Sequence, residues 1–278
     1  MKPATRHHLG MLLISVLMAG CQSSLGQLQE LANTHDQQVH ILPGSPFPLV
    51  SAAPRQIAKG QRLRVYLEGD GYAWIRPDRP SLDPTPKQLL VASLAFSDPE
   101  PSVYLARPCQ FVSSPNCTST LWTNRRFSDE VVHSLDQALD QLKAHHNNLE
   151  FELIGYSGGA ALALLLAMRR DDIALVQTLA GNLSPRHWAA HLNLTPLDGS
   201  LEPLDHRKRL AKVPQRHLLG DADRIIPLGL LKDYRQALGQ ADCLESVILP
   251  GVEHQLGWEQ AWSAWRQQPL HCSQPNRR

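Results

Sequence analysis

Ser157 stands among paired glycines in Gly155-Tyr156-Ser157-Gly158-Gly159, a setting in which a serine hydroxyl can serve as a nucleophile. The stretch leading into it, LEFELIGY, reads as an apolar strand, and the stretch leaving it, GGAALALLLAMRR, as an apolar helix. A strand passing into a helix through so few residues needs a tight turn, which Gly155 and Gly159 permit. Such a turn lifts the hydroxyl out of the sheet edge and leaves the Gly158 N–H at a helix N-terminus, aimed at a developing oxyanion. The glycine–serine pattern alone is common by chance, so its weight comes from these flanking elements. A serine hydroxyl is a weak nucleophile at neutral pH, so a base must lie within hydrogen-bond reach and a third group must orient that base. The chemistry of such a trio is acyl transfer.

The elements that would position it alternate along the chain. Strands are expected at Arg62 to Leu67, Ser102 to Ala106, Leu149 to Ile154, Ile173 to Leu179, Val213 to Leu219 and Leu244 to Leu249. Helices are expected near Pro86 to Leu94, Ser128 to His146, Gly158 to Arg170, Leu228 to Leu238 and Leu256 to Arg266. This alternation predicts an α/β fold, a mostly parallel twisted sheet with helices on both faces. Residues 181–212, rich in prolines and turn formers at their start, are long for a connection between two strands and read as a small lid insertion. Trp258, Trp262 and Trp265 share one helix face and are read as core packing.

Strand, glycine-flanked serine and helix together resemble the α/β-hydrolase superfamily, over nearly the whole chain from about Val39. The resemblance implies the order serine, acid, histidine. Gly220, Asp223, Ile226 and Pro227 match the family's Gly-x-x-Asp-x-x-hydrophobic-Pro pattern and so select Asp223 as the acid, with Asp221 as its rival. Only His254 and His271 follow that acid. His254 comes directly after a strand, where the family's base belongs, whereas His271 lies in a tail. The second oxyanion donor should come from Glu68-Gly69-Asp70-Gly71, as the backbone N–H of Gly69 or Asp70. Many esterases have His-Gly there, so Glu68 is a departure, and a plain turn is the alternative reading. More narrowly, this segment and Arg107-Pro108-Cys109-Gln110 look like those of uncharacterised proteobacterial hydrolase lipoproteins. The resemblance implies a serine esterase with catalytic residues Ser157, Asp223 and His254, and no metal or organic cofactor. The same trio serves amides and thioesters, and a non-catalytic binding protein on this fold would be expected to lose one member.

The chain has 278 residues, 42% of them hydrophobic, and a net charge of +1, which suits one large domain. The basic run HRKRLAK from His206 carries no interleaved aromatics and reads as a solvated helix face, so nucleic acid is not an expected partner. Residues 1–20 have Lys2 and Arg6 before an apolar stretch and no acid, as in a signal peptide. Leu17 to Cys21 resembles the lipobox of bacterial lipoproteins, which implies lipidation of Cys21. Gln22 after it implies, by analogy, an outer membrane, with the domain facing the periplasm and a small-molecule or lipid ester as substrate. Residues 21–38 are polar and read as a tether, with the hydrolase domain spanning 39–278. Of five cysteines, Cys21 is thereby spoken for, and four remain for disulfides in an exported protein. Proximity alone favours Cys109 with Cys117 and Cys243 with Cys272.

Overall fold

The computed structural model describes residues 23–57 and 62–272. Its strands are β1 (Gln37–Leu42), β2 (Leu49–Pro54), β3 (Arg62–Leu67), β4 (Trp74–Arg76), β5 (Arg79–Pro80), β6 (Ser102–Leu105), β7 (Glu150–Tyr156), β8 (Ile173–Leu179), β9 (Gln215–Gly220) and β10 (Leu244–Leu249). Its helices are α1 (Ser24–Thr34), α2 (Leu90–Phe96), α3 (Asp129–His146), α4 (Gly158–Arg169), α5 (Pro185–His191), α6 (Arg207–Leu210), α7 (Gly229–Leu238) and α8 (Trp258–Trp265). One eight-stranded sheet runs in the order β1-β2-β6-β3-β7-β8-β9-β10, and β4 and β5 form a separate hairpin. From β6 to β10 every neighbouring pair is parallel. β1 and β2 form an antiparallel ribbon at one edge, with β2 antiparallel to β6.

Alternation along the strands sends side chains into two cores. Leu63, Val65 and Leu67 of β3 join a buried cluster with α3, α4 and α7, while Tyr66 joins a second with α1, α2 and α8. α4 is apolar on every side because it lies within the first cluster. Trp258 and Trp262 of α8 are fully buried in the second, and Trp262 Nε1 donates to Tyr66 Oη at 2.8 Å.

A polar row crosses the α8 face of the sheet. Arg64 of β3 pairs with Glu152 of β7 at 3.2 Å, and Gln177 Nε2 of β8 donates to the same Glu152 Oε1 at 2.6 Å. Arg216 of β9 then donates to Gln177 Oε1 at 3.0 Å and to Glu245 Oε2 of β10 at 2.8 Å. Every one of these buried charges meets a partner, as burial requires.

Several expectations need correction. The proposed tether over 21–38 is, from Ser24 onward, the helix α1 and the start of β1. Leu28 and Ala32 lie one turn apart on α1 and are buried against the second cluster, and the Ser23 side chain accepts the Gly26 N–H as an N-cap. The folded domain therefore begins before residue 39. The edge ribbon β1–β2 and the β4–β5 hairpin were not anticipated either. Across 181–212 the chain forms α5, a 3₁₀ turn at Pro203–His206 and α6. This insertion is tied to the body, since Leu201 N donates to Phe127 O (2.9 Å) and Ser200 Oγ to Asn124 O (2.7 Å).

Disulfides join Cys109 to Cys117 and Cys243 to Cys272. The expected signal peptide and Cys21 lie outside the described residues. Among the described residues no helix is long and apolar enough to cross a membrane.

Candidate active site

At the carboxyl end of β7, Ser157 adopts φ 50° and ψ −119°, a strained backbone for a residue with a side chain. Its neighbours hold it there. Ser157 N donates to Leu179 O at 3.0 Å, and its carbonyl accepts Asn182 N at 2.9 Å. The turn is too tight for side chains at the flanking glycines. A Cβ on Gly155 would fall 2.5 Å from Gly159 O, and one on Gly159 would fall 2.4 Å from Leu67 O.

β9 and β10 deliver the other two members. Ser157 Oγ lies 3.0 Å from His254 Nε2, and His254 Nδ1 lies 2.8 Å from Asp223 Oδ2. Hydrogen-bond logic sets the tautomer, with Nδ1–H donating to the carboxylate and Nε2 free to accept the serine proton. The other Asp223 oxygen accepts the N–H groups of Ile225 (2.7 Å) and Ile226 (2.9 Å), which fixes the carboxylate in place. Asp221 accepts Gly251 N at 2.7 Å instead and only braces the loop after β10. His271 is exposed, and its backbone N–H donates to Glu245.

The base loop has its own anchors. The His254 carbonyl accepts Tyr156 Oη at 2.7 Å and Trp258 Nε1 at 3.0 Å. Sequence reading gave Tyr156 no role and gave Trp258 only a packing one. Both residues also hold the histidine, Tyr156 from the residue next to the nucleophile.

The loop after β3 abuts the nucleophile, since a Cβ on Gly69 would lie 3.3 Å from Ser157 Cβ. The Gly69 N–H is already taken, donating to Glu68 Oε1 at 2.8 Å. Among the described residues the Gly158 and Asp70 N–H groups have no hydrogen-bond partner, which leaves Asp70 as the better second donor. Glu68 is buried, and its other oxygen accepts Tyr104 Oη at 2.9 Å. Burial pushes its carboxyl up to about 7, against the pull of the Gly69 and Tyr104 donors and of Arg107.

The Asp70 carboxylate lies over Gly158, where a Cβ would meet Asp70 Oδ1 at 2.1 Å. Two buried arginines grip it. Arg107 pairs with Oδ1, and Arg126 pairs with Oδ2 at 2.5 Å. Burial alone would raise the Asp70 pKa, but Arg126 and Arg107 together hold it below the ordinary value. Gln110 Nε2 donates to Gly69 O at 3.0 Å and completes the brace. Arg107 and Gln110 fall in the Arg-Pro-Cys-Gln segment singled out from sequence, whereas nothing in the sequence marked Arg126.

No protein-family model matches the chain, and no curated protein is a detectable sequence relative. Solved structures are similar to it in fold. An esterase of Pyrococcus furiosus, Pf2001, superposes with a TM-score of 0.60 at 10% identity, covering 86% of this chain and 91% of that one. Est1E from Butyrivibrio proteoclasticus gives 0.57 at 13% identity over 81% of this chain and 94% of that one. An α/β serine hydrolase homologue from Coxiella burnetii gives 0.54 at 16% identity over 81% and 92%. The mostly parallel sheet and these neighbours agree that the chain has the α/β-hydrolase fold.

Proposed function

We propose that this protein is a serine hydrolase that cleaves carboxylic esters through an acyl-enzyme. The observation that carries this reading is the unbroken relay from Ser157 Oγ to His254 (3.0 Å) and from His254 to Asp223 (2.8 Å). His254 Nε2 takes the hydroxyl proton as Oγ attacks the acyl carbonyl, and Asp223 stabilises the imidazolium that forms. The N–H groups of Gly158 and Asp70 receive the oxyanion. His254 then returns the proton to the departing alkoxide, and water enters by the same route to release the acid. The names of two fold neighbours, both esterases, favour esters over other acyl compounds.

We place the protein at the periplasmic side of a bacterial membrane, anchored through a lipidated Cys21. The lipobox-like segment supports this, as do two disulfides, which persist in oxidising compartments. A fluorophosphonate probe should label the wild type and leave Ser157→Ala unmodified. A folded wild type that stays unlabelled would show a binding protein rather than an enzyme. Matched ester and amide substrates then test the bond, and faster amide turnover would overturn the ester assignment.

A further inference from the structure

We infer that the end of the molecule carrying Ser157 docks against a lipid bilayer through an apolar rim, so that the substrates are acyl lipids resident in that bilayer. The docking stands on the surface and the chain path alone; the substrate class rests on the serine-hydrolase reading.

Of the nine large apolar side chains exposed among the described residues, Ile41 and Ile248 lie on the edge strands and Leu149 at the amino end of β7, while the other six lie in connections that leave the carboxyl ends of strands. Trp74 (38% exposed), Ile75 (41%) and Leu82 (92%) follow β3, Leu194 (46%) follows β8, Ile225 (49%) follows β9 and Leu256 (61%) follows β10. All six lie beyond the carboxyl ends of parallel strands, the end at which β7 delivers Ser157. Ile225 and Leu256 stand two residues from Asp223 and His254 respectively. Exposed Trp and Ile on the β4–β5 hairpin suit the boundary between headgroup and acyl chain. Cations and anions alternate around this rim, with Arg76, Arg79 and Arg224 set among Asp78, Asp221 and Glu253. Attraction to the membrane must therefore be chiefly apolar and little affected by salt.

The chain path supports the same orientation. β1 runs antiparallel to β2, and β2 antiparallel to β6, so β1 points the same way as the parallel strands. Only His35 and Asp36 separate α1 from β1, so α1 runs antiparallel to the strand that follows it. The His35 ring, at the end of α1, lies 6.0 Å from that of Phe96, which ends α2 shortly before β6 begins. The start of α1 therefore sits at the opposite end, the end of the catalytic loops. A helix of 11 residues rises about 16 Å and a strand of six about 20 Å, so α1 spans most of the height of β1. The 22 residues before Ser23, with their apolar stretch and Cys21, thus join the fold at the rim end rather than behind it.

The test uses the chain from Gln22 onward, which lacks the apolar stretch and the lipidation site but keeps every described residue, so that the surface alone is left to bind. It should sediment with phosphatidylcholine vesicles and stay bound in about 1 M salt, roughly sevenfold above physiological ionic strength. Trp74→Ser with Ile75→Ser should cut partitioning about tenfold, and Leu256→Gln should cut it separately. The rate on a diacyl lipid in vesicles, divided by the rate on a water-soluble short ester, should fall by the same factor. Unchanged partitioning in both variants overturns the docking surface, as does release by salt. Loss of all Ser157-dependent hydrolysis alongside intact vesicle binding overturns the enzymatic reading instead.

Discussion

Glu68→Gln isolates the buried carboxyl beneath the oxyanion loop. Glu68 is raised from an ordinary value of 4.5 to about 7, chiefly by burial. Between these values the folded chain holds a proton that the unfolded chain has released, so stability falls as pH rises through the window. At about 1.4 kcal/mol per pH unit the loss amounts to roughly 3 kcal/mol, complete above about pH 7 and absent below about pH 4.5. Glutamine has the shape of the protonated acid. Its Oε1 can still accept the Gly69 N–H, and its Nε2–H can donate to Tyr104 Oη, replacing the bond that Tyr104 now donates. Urea unfolding of both proteins at several pH values should therefore show near-equal stability around pH 4.5, with the variant ahead by up to about 3 kcal/mol at pH 8. Because every other titrating group is shared, their effects cancel in the difference. A pH-independent gap, or a variant that loses ground as pH rises, would refute the reasoning.

Asp223→Asn keeps an acceptor for the Ile225 and Ile226 N–H groups but loses control of the His254 tautomer, and kcat should fall about 10³–10⁴-fold while the melting temperature barely moves. Arg126→Met leaves the Asp70 carboxylate with Arg107 alone beside the oxyanion donors. It should lower kcat at least about tenfold with little change in KM, and weaken a boronic acid inhibitor by a similar factor. Cys109→Ser with Cys117→Ser should cost about 2–3 kcal/mol in denaturant titrations for its separation of 8 residues. It should also lower kcat, because Arg107 and Gln110 reach the oxyanion loop from that segment. Arg216→Met, which leaves Glu245 without its partner, should destabilise by about 3–5 kcal/mol in urea titrations.

The central strands were legible because each is an apolar run bounded by turn residues. The meeting of Ser157, Asp223 and His254 in one place was legible because chain order and strand ends restrict the choice. α1 was not, since its apolar stripe is diluted by Gln, Glu and Asn and gains meaning only against α2 and the edge strands. Arg126 lies far along the chain from Asp70 and meets it only once the sheet has formed. Gly69 and Asp70 could not be separated from sequence, because the choice turns on which N–H Glu68 engages.

The polar row across β3, β7, β8, β9 and β10 bears on strand registration. Its members alternate with Tyr66, Ile154, Tyr156, Leu179, Leu218, Val247 and Leu249, all on the same face. A slip of one residue along any of these strands would turn a charged or amide side chain into the α3–α4–α7 core and break its pairings with both neighbours. Misaligned sheets are thereby penalised strand by strand. Glu152, Arg216 and Glu245 each lie a few residues upstream of a loop of the candidate site, so the row sets the heights at which Ser157, Asp223 and His254 emerge. The row thus serves as a ruler, which locks three loops from distant parts of the chain into one level.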